Sequence, residues 1–79
     1  MTLDDVLKLY NKEVKTAEER LLQHQKERQE IRIKYFLRPL AMEREIRGIN
    51  WLLMMDKEVL TALTNARDRL LEEMVSEAL

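Results

Sequence analysis

The chain has a single histidine, His24, and no cysteine, so its capacity for metal or nucleophilic chemistry is small. A zinc site needs several such donors at helical or hairpin spacing. No second histidine stands four residues from His24, and Glu27 alone is a poor companion ligand. Haem ligation by His24 and a methionine would need a methionine on the same helical stripe, and Met54 and Met55 fall off it. The acidic pairs Glu18-Glu19 and Glu72-Glu73 are adjacent in sequence, which on a helix turns them to different faces and into solvent. There is no glycine-rich phosphate loop, no nucleophile elbow and no Ser/His/Asp arrangement. The expectation is a non-enzymatic protein with no cofactor and no metal.

Two sets of residues do point to binding. Between Lys26 and Arg47 the basic residues are Lys26, Arg28, Arg32, Lys34, Arg38, Arg44 and Arg47, against Glu27, Glu30, Glu43 and Glu45, a local excess of three positive charges. With Tyr35 among them, Arg28, Arg32, Lys34 and Arg38 are the candidates for gripping phosphates. The interleaved glutamates equally describe a solvated face laced with ion pairs. The second set, built on Trp51, emerges only once the helices that carry it are placed.

Leu3, Leu7, Tyr10, Val14, Ala17, Leu21, His24, Arg28, Ile31 and Tyr35 follow one another at alternating spacings of four and three. That is the a/d seam of a helix packed lengthwise on another helix. Thr2 is a good N-cap with Asp5 three residues on, and Asp4 and Asp5 favour the positive end of the dipole. Nothing interrupts the pattern until Pro39, which predicts a helix over about 3–36, roughly 50 Å long. His24, Gln25, Arg28 and Arg32 share its stripe; they are expected to snorkel, to pair across the seam, or to face a partner.

Pro39 suits the first turn of a second helix, predicted over about 40–77. Met42, Ile46, Ile49, Leu52, Leu53, Leu60, Leu63, Leu70, Leu71 and Met74 form its stripe, roughly 140° wide. Gly48 marks a possible kink or a close backbone approach, and Asn50 or Asp56 could cap a restarted helix. An antiparallel hairpin turning near residue 38 makes facing residue numbers sum to about 77. Arg32 then faces Glu45, Tyr10 faces Arg67, and Arg20 or His24 comes near Asp56. Polar interruptions of one stripe thus meet those of the other, which favours the hairpin over one long rod.

Trp51, Met54 and Met55 lie outside the stripe, with Arg44 and Arg47 one or two turns earlier. A helix apolar nearly all round must be covered on more than one face, and a hairpin supplies one cover. The patch therefore implies either a homodimeric bundle or a different partner protein, Trp and Arg being typical anchors and Met adapting to irregular surfaces. Tyr35 and Phe36 near the turn extend it.

Composition agrees with this architecture. The 79 residues are 46% hydrophobic and 37% charged, with one glycine and one proline and a net charge of −1. Such a chain is one domain, 1–79, helical rather than β, and too small to bury a self-sufficient core. The longest apolar run, Trp51 to Met55, is far short of the ~20 residues that span a bilayer. Thr2-Leu3-Asp4-Asp5 is acidic where a signal peptide is basic, and cysteine is absent, so a cytoplasmic location is expected. The sequence thus predicts an all-α antiparallel two-helix hairpin, too thin to stand alone, that self-associates and acts as an adaptor or inhibitor of a partner protein through Trp51, Met54, Met55, Arg44, Arg47, Tyr35 and Phe36. The alternative is a small dimeric nucleic-acid-binding regulator that uses the basic turn.

Overall fold

A computed structural model describes residues 2–78. Two helices account for nearly all of them: α1, Leu3–Lys34, and α2, Pro39–Ala78. They fold back on each other as an antiparallel hairpin, 61 Å long and 17 by 14 Å across.

The start of α1 is fixed by a complete capping box. Thr2 Oγ1 accepts from the Asp5 backbone N–H at 3.2 Å, and Asp5 Oδ2 accepts from the Thr2 N–H at 3.1 Å. Aspartate at this position thus closes both halves of the motif. At the other end α1 stops at Lys34, slightly before residue 36. Tyr35 leaves helical geometry with its N–H still bonded to Ile31 at 2.9 Å. The Arg38 N–H then bonds the Tyr35 carbonyl at 2.8 Å, and the Arg38 carbonyl accepts from Met42 at 2.9 Å. Pro39 opens α2, where a missing N–H costs nothing. Among the described residues no non-glycine adopts a positive φ, so this glycine-free turn closes without left-handed backbone.

The predicted seam of α1 faces α2. Val14 and Ala17 are buried, and Leu7, Tyr10, Leu21, His24, Arg28, Ile31 and Tyr35 are half-buried; Leu3, at the open end, is exposed. The seam of α2 keeps the same alternation of four and three: Met42, Ile46, Ile49, Leu53, Asp56, Leu60, Leu63, Arg67, Leu70 and Met74, all buried or half-buried. Leu52 and Leu71, expected inside the stripe, are exposed. A stripe 140° wide exceeds what one facing helix can dry.

Two polar layers cross the seam. The His24 Nδ1–H donates to Asp56 Oδ2 across the helices, with Asp56 buried. Near it Arg28 Nη1 donates to Asn50 Oδ1 at 3.3 Å. Facing numbers therefore sum to 80 and 78, slightly beyond the expected 77. Arg28 belongs to the seam series and reaches α2, whereas Arg32 lies one residue past Ile31, off the seam, and stays exposed. Arg32 and Glu45 are both exposed and form no ion pair among the described residues. In the other layer Tyr10 and Arg67 are both half-buried, but Arg67 Nε is buried without a hydrogen-bond partner, 3.6 Å from Asp68 Oδ1.

α2 continues through Gly48 without interruption, so neither Asn50 nor Asp56 begins a new helix. A methyl group built on Gly48 would meet nothing within 4 Å, so no backbone of this chain approaches it. The glycine's cost, up to about 1 kcal/mol, is too small to break a helix anchored on either side by Ile46 and Ile49.

Two stability predictions follow from the seam. Asp56→Ala should cost about 1–3 kcal/mol by stranding the His24 N–H, whereas His24→Leu with Asp56→Leu should match or exceed the wild type in thermal unfolding. Arg67→Met keeps the apolar stem and removes the unsatisfied Nε; it should raise stability by up to about 1 kcal/mol in urea titration.

Candidate protein-interaction surface

Once the hairpin seam is fixed, the outer residues of α2 can be sorted by angle. Leu40, Arg44, Arg47, Trp51 and Met54 again alternate by four and three, so they form one ridge, roughly 21 Å long at 1.5 Å per residue. All five are exposed, Trp51 at 58%, Met54 at 49% and Leu40 at 83%. The ridge runs along the back of α2, away from α1.

Arg47 Nη2 donates to Glu43 Oε1 at 2.9 Å, one turn earlier. Both side chains are well exposed, so this i,i+4 pair adds little stability and can exchange for another carboxylate. Leu40, Glu43, Arg44 and Arg47 border a shallow groove beside the ridge. Its lining is mixed and mainly polar: Leu40 beside two guanidinium groups and the Glu43 carboxylate. Such a strip suits an amphipathic segment carrying carboxylates, with Trp51 as the large anchor.

The sequence-predicted residues do not all belong to this ridge. Met55 lies on a neighbouring strip with Leu52 and Val59, all exposed. Tyr35 is half-buried at the end of α1, with Lys34 Nζ 5.3 Å from its ring centroid. Phe36 is 69% exposed in the turn beside Leu37. It forms an apolar tip with Leu37 and Leu40, about 18 Å of helix from Trp51. Leu40 was not anticipated; the available signal was its place four residues before Arg44. It joins the tip to the ridge.

The basic candidates are divided as well. Arg28 is half-buried and engaged with Asn50, and Lys34 lies over Tyr35 in a groove shared with Glu27, Glu30 and Glu45. Arg32 and Arg38 are exposed and make no ion pair among the described residues. No group of three or more His, Asp or Glu side chains among the described residues is placed to hold a metal ion. No described helix is long and apolar enough to cross a membrane.

Comparison with protein-family models, with curated proteins and with solved structures returns no match to this chain.

Proposed function

We propose that this chain is a small, non-enzymatic interaction module, an adaptor or inhibitor that works as a homo-oligomer in the cytoplasm and binds a partner protein through α2. The observation that carries this reading is the exposed ridge Leu40–Arg44–Arg47–Trp51–Met54. It holds the chain's single tryptophan, 58% exposed, between apolar and guanidinium neighbours. A solvated indole at mid-helix adds nothing to the hairpin seam, whereas in an interface it is the side chain with most area to bury. The partner surface it fits is apolar with a carboxylate rim.

A second reading, phosphate binding by the turn, draws on the excess positive charge between Lys26 and Arg47 and on the exposure of Arg32 and Arg38. The glutamates in the same grooves and the engagement of Arg28 count against it.

The two readings separate by substitution. Trp51→Ala, and independently Arg44→Glu with Arg47→Glu, should each abolish capture of the cellular partner while leaving helical circular dichroism unchanged. Capture that survives both variants would refute the ridge. Arg32→Glu with Arg38→Glu should leave capture intact; a salt-sensitive gel shift with wild-type protein, lost in this variant, would favour nucleic acid instead.

A further inference from the structure

We propose that a second copy of this chain seats antiparallel on α2, along a strip distinct from both the hairpin seam and the tryptophan ridge. This gives a geometry to the homo-oligomer on which the proposed function rests. The strip is Gly48, Leu52, Met55, Val59, Ala62 and Ala66, a third series at alternating spacings of four and three on the same helix. It is a coiled-coil seam by the same criterion that located the first. Its centre lies about 100° around α2 from the hairpin seam, close to the angle at which a bundle helix meets its second neighbour. All of these residues except half-buried Ala66 are exposed, and Gly48 has open space where a side chain would stand.

Three observations select a second copy as the occupant. The first is area. The hairpin exposes 6474 Å². A compact chain of this mass would expose about 5,000 Å². The excess, roughly 1,400 Å² per chain, is more than the ~800 Å² that each partner contributes to a standard interface. The second is size. Large side chains occupy the middle of the strip and small ones both flanks, nearly symmetric about Met55. An antiparallel pair therefore matches Gly48 with Ala62, Leu52 with Val59, and Met55 with itself, and the small flanks let the backbones close.

The third observation is charge. Continued in both directions, the strip reaches Glu45 toward the turn and Arg69 then Glu73 toward the open end. A parallel, in-register pair would stack Glu45 on Glu45, Arg69 on Arg69 and Glu73 on Glu73. The antiparallel pair brings Glu45 within about a turn of Arg69 and sets Arg38 level with Glu72. The turn end of α2 (three arginines and two glutamates over 38–47) meets the acidic open end (two arginines and four acids over 67–78). α1 offers no competing strip: its exposed Leu22 and Ile33 share a face but are separated on it by Lys26 and Gln29, and Leu9 lies on another face.

The chain's lack of cysteine makes the test direct. Light scattering should give twice the chain mass for wild type and one chain for Met55→Glu. Under mild oxidation Met55→Cys should crosslink to itself, while Gly48→Cys and Ala62→Cys should each stay uncrosslinked alone and form a disulfide when mixed. Circular dichroism confirms that each single-cysteine chain is folded. Self-crosslinking of Gly48→Cys alone would overturn the antiparallel arrangement. A wild-type dimer whose Met55→Cys form does not crosslink would overturn the strip but keep self-association. A wild-type monomer would overturn both. Partner capture through Trp51 is read separately and is decided by none of these outcomes.

Discussion

Two rods in lengthwise contact share one line, and a line of contact cannot enclose a core. Everything else in this molecule follows from that geometric limit. Among the described residues only Val14, Ala17, Ile49 and Leu53 are buried hydrophobics, and no large side chain is sealed completely. The radius of gyration is 17.9 Å. A compact chain of this length would have about 12 Å. The hydrophobic effect scales with area removed from water, so a shape this drawn out leaves much of its potential stabilisation unused. The seam supplies register, and the outer face of α2 retains the apolar surface that a third and fourth helix could dry.

The polar seam residues are best understood within the same limit. An all-leucine seam could slide by a heptad with little penalty, because one apolar layer resembles the next. His24 and Asp56 remove that freedom: any shifted pairing would bury the carboxylate against an aliphatic side chain, at the full cost of an unsatisfied group. Arg28 and Asn50 reinforce the same alignment from the rim. Arg67 is the exception. Its Nε gains nothing inside the hairpin, so its value lies either in the apolar reach of its stem or outside this chain.

How much of this could be read from the residues depended on how many periods overlapped. The seam of α1 was legible from Leu3 to Tyr35 because its outer face is mostly charged or polar, with Leu9, Leu22 and Ile33 too scattered to form a second apolar series. The capping box at Thr2 and the turn before Pro39 were legible because each rests on local chemistry. α2 was harder. Three series interleave on it, and from residues alone they merge into one wide stripe with an odd patch around Trp51. Only when α1 has claimed Ile49, Leu53 and Leu60 can Leu52, Met55 and Val59 be separated from Arg47, Trp51 and Met54. The merged reading therefore put Leu52 and Leu71 inside the seam, and it joined Met55 to a ridge from which it stands apart. Gly48 misled on both counts: a kink and a close backbone approach were the readings open to it, whereas α2 continues through it and the space beside it is open.

The three strips on α2 are not independent. The strip centred on Met55 and the ridge centred on Trp51 lie next to each other around the helix, and Trp51 and Met55, four residues apart, form their common border. In an antiparallel pair related by a two-fold axis through Met55, whatever flanks the contact on one helix appears on the same side of the dimer in the other. Both tryptophans would then open onto one face, with the two methionines between them, and both copies of α1 would lie toward the other. Self-association along Leu52, Met55 and Val59 would thus leave the ridge uncovered and double it, converting two narrow strips into one broad apolar floor bordered by Arg44 and Arg47 of each copy. On this geometry self-association and partner binding would not compete for the same strip. A chain too thin to hold a site on its own can build one across two copies.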